Sequence, residues 1–329
     1  MRSYENMPTA RVFITGIAGF AGSHLAEWCL ACSDEVAGTV LPGTSIVNLH
    51  DVRHAIELVH ADLLKPKAAA EALHRVRPNW IVHLAASTSV ADSFQTPDET
   101  IRNNIIGTLN ILEAVRQDAA VRRTVDKIII VASSEVYGRV RPGMIPLSEN
   151  TLLAPVNPYG ASKASADLIA LAYGESFGLP VVRVRAANHT GPRQRKGFVV
   201  PDFCDAISHL EKKTGQRIMK VGNLSARRDF SDVRDVVRGY RQLAQKGHSG
   251  RVYHLGSGQV RSVRSVLNTL LRMAQRPIDV LTDPKKLRPV EVPVLLSDIS
   301  RARREIGYKP IIPWRQTLSD TLEYYRQRS

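Results

Sequence analysis

The chain has 329 residues, 43% hydrophobic, 6% aromatic and 23% charged, a balance that excludes disordered, collagenous and coiled-coil classes. A single small module is excluded as well, because cores stop growing at about 250–300 residues and two lobes are then expected. Lys and Arg number 45 against 31 Asp and Glu, and the net charge of +14 permits an anionic ligand of any kind, from a sugar nucleotide to a nucleic acid.

The basic clusters at Arg122-Arg123, Arg193–Lys196, Arg227-Arg228 and Arg301–Arg304 come without aromatic-interleaved or zinc-finger spacing. They read as solvated faces, and no nucleic-acid partner is expected. The apolar runs Lys127–Ala132 and Ile105–Val115 fall short of the roughly 20 apolar residues that span a bilayer, so no membrane association is expected. The N-terminus shows no basic segment followed by an apolar one, and a cytoplasmic location follows. Cys29, Cys32 and Cys204 suit a reducing compartment better than a disulfide framework. Cys29 and Cys32 lie in an apolar helical stretch without a second Cys or His pair, so they read as packing and no metal is expected.

In chain order, Arg11–Thr15 reads as a buried strand, Gly16-Ile17-Ala18-Gly19-Phe20-Ala21-Gly22 as a turn, and Ser23–Leu30 as a helix. Small residues there let backbone approach a pyrophosphate, whose charge the helix N-terminus attracts. Turns also collect glycine, so the strand–turn–helix context carries this reading. Gly16, Gly19, Phe20, Ala21 and Gly22 are the expected cofactor contacts. Further strands are expected at Glu35–Val40, Glu57–His60, Trp80–Ala85 and Lys127–Ala132, with helices at Pro66–Arg77 and Pro97–Gln117. That alternation predicts an α/β fold with a doubly wound parallel sheet of Rossmann type.

Such a sheet binds ligands at its strand ends, which here carry Asp62-Leu63, Ala85-Ala86-Ser87 and Ser133-Ser134-Glu135. Asp62, Leu63, Ala85 and Ala86 are therefore candidate cofactor contacts. Asp62 reads equally well as a turn cap. An acid at the end of the second strand would hold a ribose hydroxyl, and an arginine a 2′-phosphate. Gly38-Thr39-Val40-Leu41-Pro42 has neither, so NADP(H) and NAD(H) both stay open.

The segment Asn157-Pro158-Tyr159-Gly160-Ala161-Ser162-Lys163 opens a helix expected to run to about Phe177. A spacing of four puts Tyr159 and Lys163 on one face, where an ammonium can lower a phenol pKa that is ordinarily about 10. A tyrosine so placed can serve as acid or base. Ser133, ending a buried strand at the same sheet edge, is placed to bond the reacting oxygen, with Glu135 next to it.

Through Gly16-x-x-Gly19-x-x-Gly22, His83-Leu84-Ala85-Ala86, Ser133-Ser134-Glu135-Val136-Tyr137-Gly138 and Tyr159-Gly160-x-Ser162-Lys163, the chain resembles the extended short-chain dehydrogenase/reductase (NAD-dependent epimerase/dehydratase) family. The resemblance implies a Rossmann domain with a smaller, discontinuous C-terminal substrate domain. The expected division is 10–187 and 188–329, with the stretch around 229–257 returning to the first domain. It also implies a nicotinamide cofactor that Tyr159 and Lys163 touch, and a homodimer or homotetramer.

Beyond the strand Pro180–Ala186, the segments Asn188–Arg193, Gly197–Phe203, Val221–Phe230 and Leu287–Pro293 resemble the GDP-mannose branch of that family. That likeness implies a GDP-sugar held by Thr88, Asn188, Val199, Asn223 and Arg228, with Arg288 and Glu291 on diphosphate and nucleoside. Arg228 and Arg288 read otherwise as partners of nearby acids. The branch contains 4,6-dehydratases and 4-keto-6-deoxymannose reductases. Dehydratases usually have Thr-Ser-Glu where this chain has Ser133-Ser134-Glu135, and paired arginines where it has Leu41-Pro42. The Arg228–Asp235 and Phe198–Phe203 runs look more like the reductases. The resemblance thus implies reduction of the C4 ketone of GDP-4-keto-6-deoxy-D-mannose, with GDP-mannose 4,6-dehydration as the alternative and a non-catalytic nucleotide-binding protein as a distant one.

Overall fold

A computed structural model describes residues 9–140, 142–284 and 292–329. The first half contains β1 (Arg11–Thr15), α1 (Phe20–Ala31), β2 (Glu35–Val40), β3 (Ile56–His60), α2 (Pro66–Val76), β4 (Trp80–His83), α3 (Val90–Gln95), α4 (Pro97–Gln117), α5 (Ala119–Thr124), β5 (Lys127–Ser133), α6 (Pro158–Phe177) and β6 (Val181–Ala186). The second contains β7 (Asn188–Thr190), α7 (Val199–Lys212), β8 (Ile218–Val221), β9 (Arg227–Asp232), α8 (Val233–Lys246), β10 (Val252–Leu255), β11 (Val260–Ser262), α9 (Val263–Leu271), β12 (Asp279–Thr282), β13 (Val294–Leu295), α10 (Ser300–Ile306) and α11 (Trp314–Arg326).

β1 and β5 are almost continuously apolar because helices cover both faces of their sheet. Seven parallel strands pair in the order β10-β6-β5-β4-β1-β2-β3, the doubly wound sheet expected from the alternation. One core cluster joins Ile14, Val82 and Val131 to Val236 and Tyr240 of α8, and the other joins Phe13, Ile81 and Ile130 to Ile111 of α4. The order reverses between β1 and β4, where open α/β sheets bind their ligands.

After β6 the chain builds a small sheet on β9, which pairs with β7, β11 and β13, and a two-stranded sheet of β8 and β12. A third apolar cluster under these sheets includes Val200, Phe230, Leu267 and Leu318. α8 and β10 then rejoin the large sheet. α8 is fastened to the turn between α1 and β2 by a buried pair, Arg241 Nε and Nη2 donating to Asp34 at 2.6 and 2.9 Å. Cys29 packs in the core, where burial holds its thiol well above the usual range. Among the described residues no helix is long and apolar enough to cross a membrane.

Candidate active site

The carboxyl edge of the large sheet opens into a cleft of about 1670 Å³, larger than the roughly 300–1,000 Å³ of a usual small-molecule pocket and roomy enough for a dinucleotide and a second nucleotide. Gly16, Gly19, Phe20, Ala21, Gly22, Asp62, Leu63, Ala85 and Ala86 line its first half. Gly16 has φ +66°, and a Cβ there would come within 3.0 Å of the Ala85 Cα. A Cβ on Gly22 would strike the Gly16 carbonyl oxygen and come within 2.8 Å of Ile17 Cα, both immovable backbone. Gly19 caps α1 without a side-chain bond, so the first-turn N–H groups stay available to an anion. These residues form a cradle that fits the pyrophosphate of a dinucleotide. Asp62 both lines the cleft and caps its own turn, accepting from Leu64 N–H at 3.0 Å. Thr39, Leu41, Thr44 and Asn48 line the adjoining wall, without an acid or an arginine from the second strand's end.

The second cluster forms where β5 ends beside the N-terminus of α6. Asn157 caps α6, its Oδ1 accepting from Gly160 N–H at 2.7 Å, while its Nδ2 donates to Glu135 Oε2 at 3.2 Å. Ser133 Oγ accepts from Glu135 N–H at 3.2 Å, which turns the chain so that Ser133, Glu135, Tyr159 and Lys163 all line the cleft. Burial is the main influence on the Tyr159 phenol, pushing it up to about 12; a hydrogen bond with Ser133 opposes this and the Glu135 carboxylate adds to it. The expectation of a lowered phenol pKa is therefore corrected. Desolvation of the phenolate wins, and burial also pushes Lys163 down to about 8, against Asp167 one helical turn on.

Behind Lys163 lies a buried network that the sequence did not reveal. Asp167 Oδ2 accepts from Arg185 Nη2 at 2.8 Å and Arg183 Nη1 at 3.2 Å. Arg185 Nη1 also donates to Tyr137 and to the Glu149 carbonyl, both at 2.9 Å. On the other side, His83 bridges Thr15 and Thr108 at 2.8 and 3.1 Å. Burial, and secondarily Lys163, pushes this imidazole down to about 3, so it stays neutral and structural.

Thr88, Asn188, Val199, Asn223 and Arg228 line the other half of the cleft. Arg228 Nη1 donates to the Val292 carbonyl at 2.7 Å, and its Nε lies 3.9 Å from Glu135 Oε1. It thus links β9 to the Tyr159 cluster, and the reading of a partnered arginine holds in part. Asn223 Oδ1 accepts from Ser225 N–H at 2.8 Å, which shapes its loop. Arg288 and Glu291 lie outside the described residues. Lys220, Phe198 and Arg193 also line the cleft. Arg193 has φ +72° and donates to Glu27 at 2.6 and 2.7 Å and to the Asn48 carbonyl at 3.0 Å, tying the loop after β7 to α1. Its loop, Asn188–Arg193, and the basic run around it were visible in the sequence; its partners in α1 were not.

Residues 13–321 match the family described as GDP-mannose 4,6 dehydratase. GDP-6-deoxy-D-mannose reductase of Pseudomonas aeruginosa is 31% identical over 320 residues, 97% of this chain and 98% of the relative. GDP-mannose 4,6-dehydratase of Sinorhizobium fredii is 30% identical, over 90% of this chain and 91% of the relative. Among solved structures, that of RMD from Pseudomonas aeruginosa complexed with NADPH aligns at a TM-score of 0.82 and 29% identity, covering 98% of this chain and 100% of the other. A match over almost the whole length, on this sheet and with this Ser133–Tyr159–Lys163 cluster, means that the chain belongs to the GDP-mannose 4,6-dehydratase family of the extended short-chain dehydrogenases/reductases, an NAD(P)-dependent class of enzymes.

Proposed function

We propose that the protein reduces the C4 ketone of GDP-4-keto-6-deoxy-D-mannose with NADPH or NADH, giving GDP-D-rhamnose or its C4 epimer. The observation that carries this reading is the state of Glu135, hydrogen-bonded by Asn157 and flanked by Arg228, beside a Tyr159 phenol kept protonated by burial. A protonated tyrosine suits an acid that delivers a proton to a forming alkoxide. An anchored carboxylate suits sugar positioning better than removal of the C5 proton that dehydration requires. The identity to a GDP-6-deoxy-D-mannose reductase supports the same choice.

The glycine turn with Asp62, Leu63, Ala85 and Ala86 would hold the cofactor, which would supply a hydride for the carbonyl carbon. Ser133 donates a hydrogen bond to the carbonyl oxygen and Tyr159 protonates it. Lys163 holds the ribose and stabilises the phenolate left behind. Thr88, Asn188, Val199, Asn223 and Arg228 grip the nucleotide sugar, and a forked guanidinium suits its diphosphate. Residues 10–187 with the stretch around 229–257 form the cofactor domain in this reading, and the remainder of 188–329 the substrate domain. The assembly proposed is a homodimer or homotetramer, joined through the outer faces of α4 and α6, where Ile101 and Leu168 stand exposed.

Glu135→Gln tests the choice of reaction. The variant is expected to keep substantial ketone reduction, and wild-type protein given GDP-mannose with oxidised cofactor is expected to leave it unchanged. Loss of a general base typically costs about 100- to 10,000-fold. Formation of the 4-keto-6-deoxy sugar by the wild type, abolished in Glu135→Gln, would instead establish the dehydratase.

A further inference from the structure

The network behind Lys163 is built in a way that a purely structural tie does not call for. Asp167 and Lys163 stand one helical turn apart on the buried side of α6, at 0% and 6% exposure, and residues so spaced are neighbours on one helix face. Both arginines of β6, Arg183 and Arg185, are bonded to the same carboxylate oxygen of Asp167, Oδ2. Its Oδ1 is buried with no hydrogen-bond partner, and so are the Nε atoms of both arginines. A carboxylate that served only to tie α6 to β6 would do better in a fork-to-fork pair that used both oxygens.

Lys163 is the group with most to gain from this charge. A buried ammonium tends to give up its proton, and β6 places two further positive charges behind it. The other groups around it do little to hold that proton. His83 of β4 is neutral, and the Tyr159 phenol on α6 is protonated. Glu135, past the end of β5, is bonded by Asn157 and flanked by Arg228. Asp98, Glu99 and Arg102 of α4 line the same cleft from exposed positions, where water and salt screen them. Asp167 supplies buried negative charge on α6 itself, and its field opposes the effect of burial on Lys163. No direct hydrogen bond is needed, since charges in a water-poor interior act over several ångströms. We propose that Asp167 is a positioning residue for turnover, the buried counter-ion that keeps the Lys163 side chain an ammonium. The inference rests on the role given to Lys163 above and is independent of whether the sugar is reduced or dehydrated.

Two variants that disturb the same network are expected to move Lys163 in opposite directions. Asp167→Asn keeps the shape and removes the negative charge. Arg183→Gln removes a positive charge and leaves the carboxylate with one guanidinium instead of two. The titration of Lys163 is read in the full-length protein without added cofactor, from the Cε chemical shift of labelled lysine, with Lys163→Met assigning the resonance. The alkaline fall of kcat is measured in parallel. Both midpoints are expected to shift down in Asp167→Asn, because the ammonium is then lost at lower pH, and up in Arg183→Gln, each by about half a pH unit or more. A structural tie would lower stability in both variants without moving the titration in opposite directions. Lys163 shifts within about 0.2 unit, or of like sign in the two variants, overturn the proposal. If Asp167→Asn does not fold, the direction of the shift in Arg183→Gln decides. A Lys163 titration that moves as expected while the alkaline fall of kcat stays in place would overturn the role of Lys163 in the reaction, a distinguishable failure.

Discussion

Tyr159→Phe is expected to lower kcat for ketone reduction by about 100-fold or more, with cofactor binding retained. The substitution preserves a buried ring and removes the phenolic proton together with the hydrogen bond to Ser133. Wild-type turnover in the variant would mean that another group delivers the proton. The pH profile gives an independent check, because Lys163 is held at about 8, chiefly by burial. Its ammonium is present below that value and is lost as pH rises through it. The phenolate that follows proton transfer then loses its stabilising charge, so wild-type kcat is expected to fall above about pH 8. A flat profile between pH 7 and 10 would remove Lys163 from this role.

Asp167→Ala is expected to cost about 3–5 kcal/mol of folding stability, because removal of one member of a buried ion pair leaves charge uncompensated. Asp167 is 0% exposed, and the two guanidiniums bonded to it belong to Arg183 and Arg185, at 7% and 5%. The exposed pair of Arg195 and Asp92, at 58% and 59%, supplies the control. Asp92→Asn is expected to change stability by less than about 1 kcal/mol. Denaturant midpoints at constant slope measure both. Equal shifts in the two variants would show that the buried network carries no special weight.

Local chemistry made the sheet and the Tyr159 helix legible. Asn157, Pro158 and Gly178 mark α6 at both ends, with a side-chain cap, a first-turn proline and a left-handed terminator at φ 64°, and Pro97–Gln117 matched its expected bounds. α1 starts at Phe20 rather than Ser23 because its cap, Gly19, has no side chain to signal it. Contacts between distant positions left no periodic trace. Arg193 meets Glu27 across 166 residues, and the approach of Arg228 to Glu135 depends on how β9 is carried back over the cleft. The phenol of Tyr159 was misjudged for a related reason: spacing reports the neighbour at Lys163, whereas desolvation depends on everything packed around the pair.

The return of α8 and β10 to the large sheet limits how this family can be recombined. A single crossover after β6 would replace the strand paired along its edge, β10, with a foreign one whose side chains were not selected against β6. It would also put at risk the pairing of Asp34 with Arg241, whose guanidinium lies over the Trp80 ring. Poorly matched strand edges invite pairing with other chains, so such chimeras should aggregate before their specificity can be read. Two replacements, made on either side of an intact Asp232–Leu255 segment, leave that seam closed.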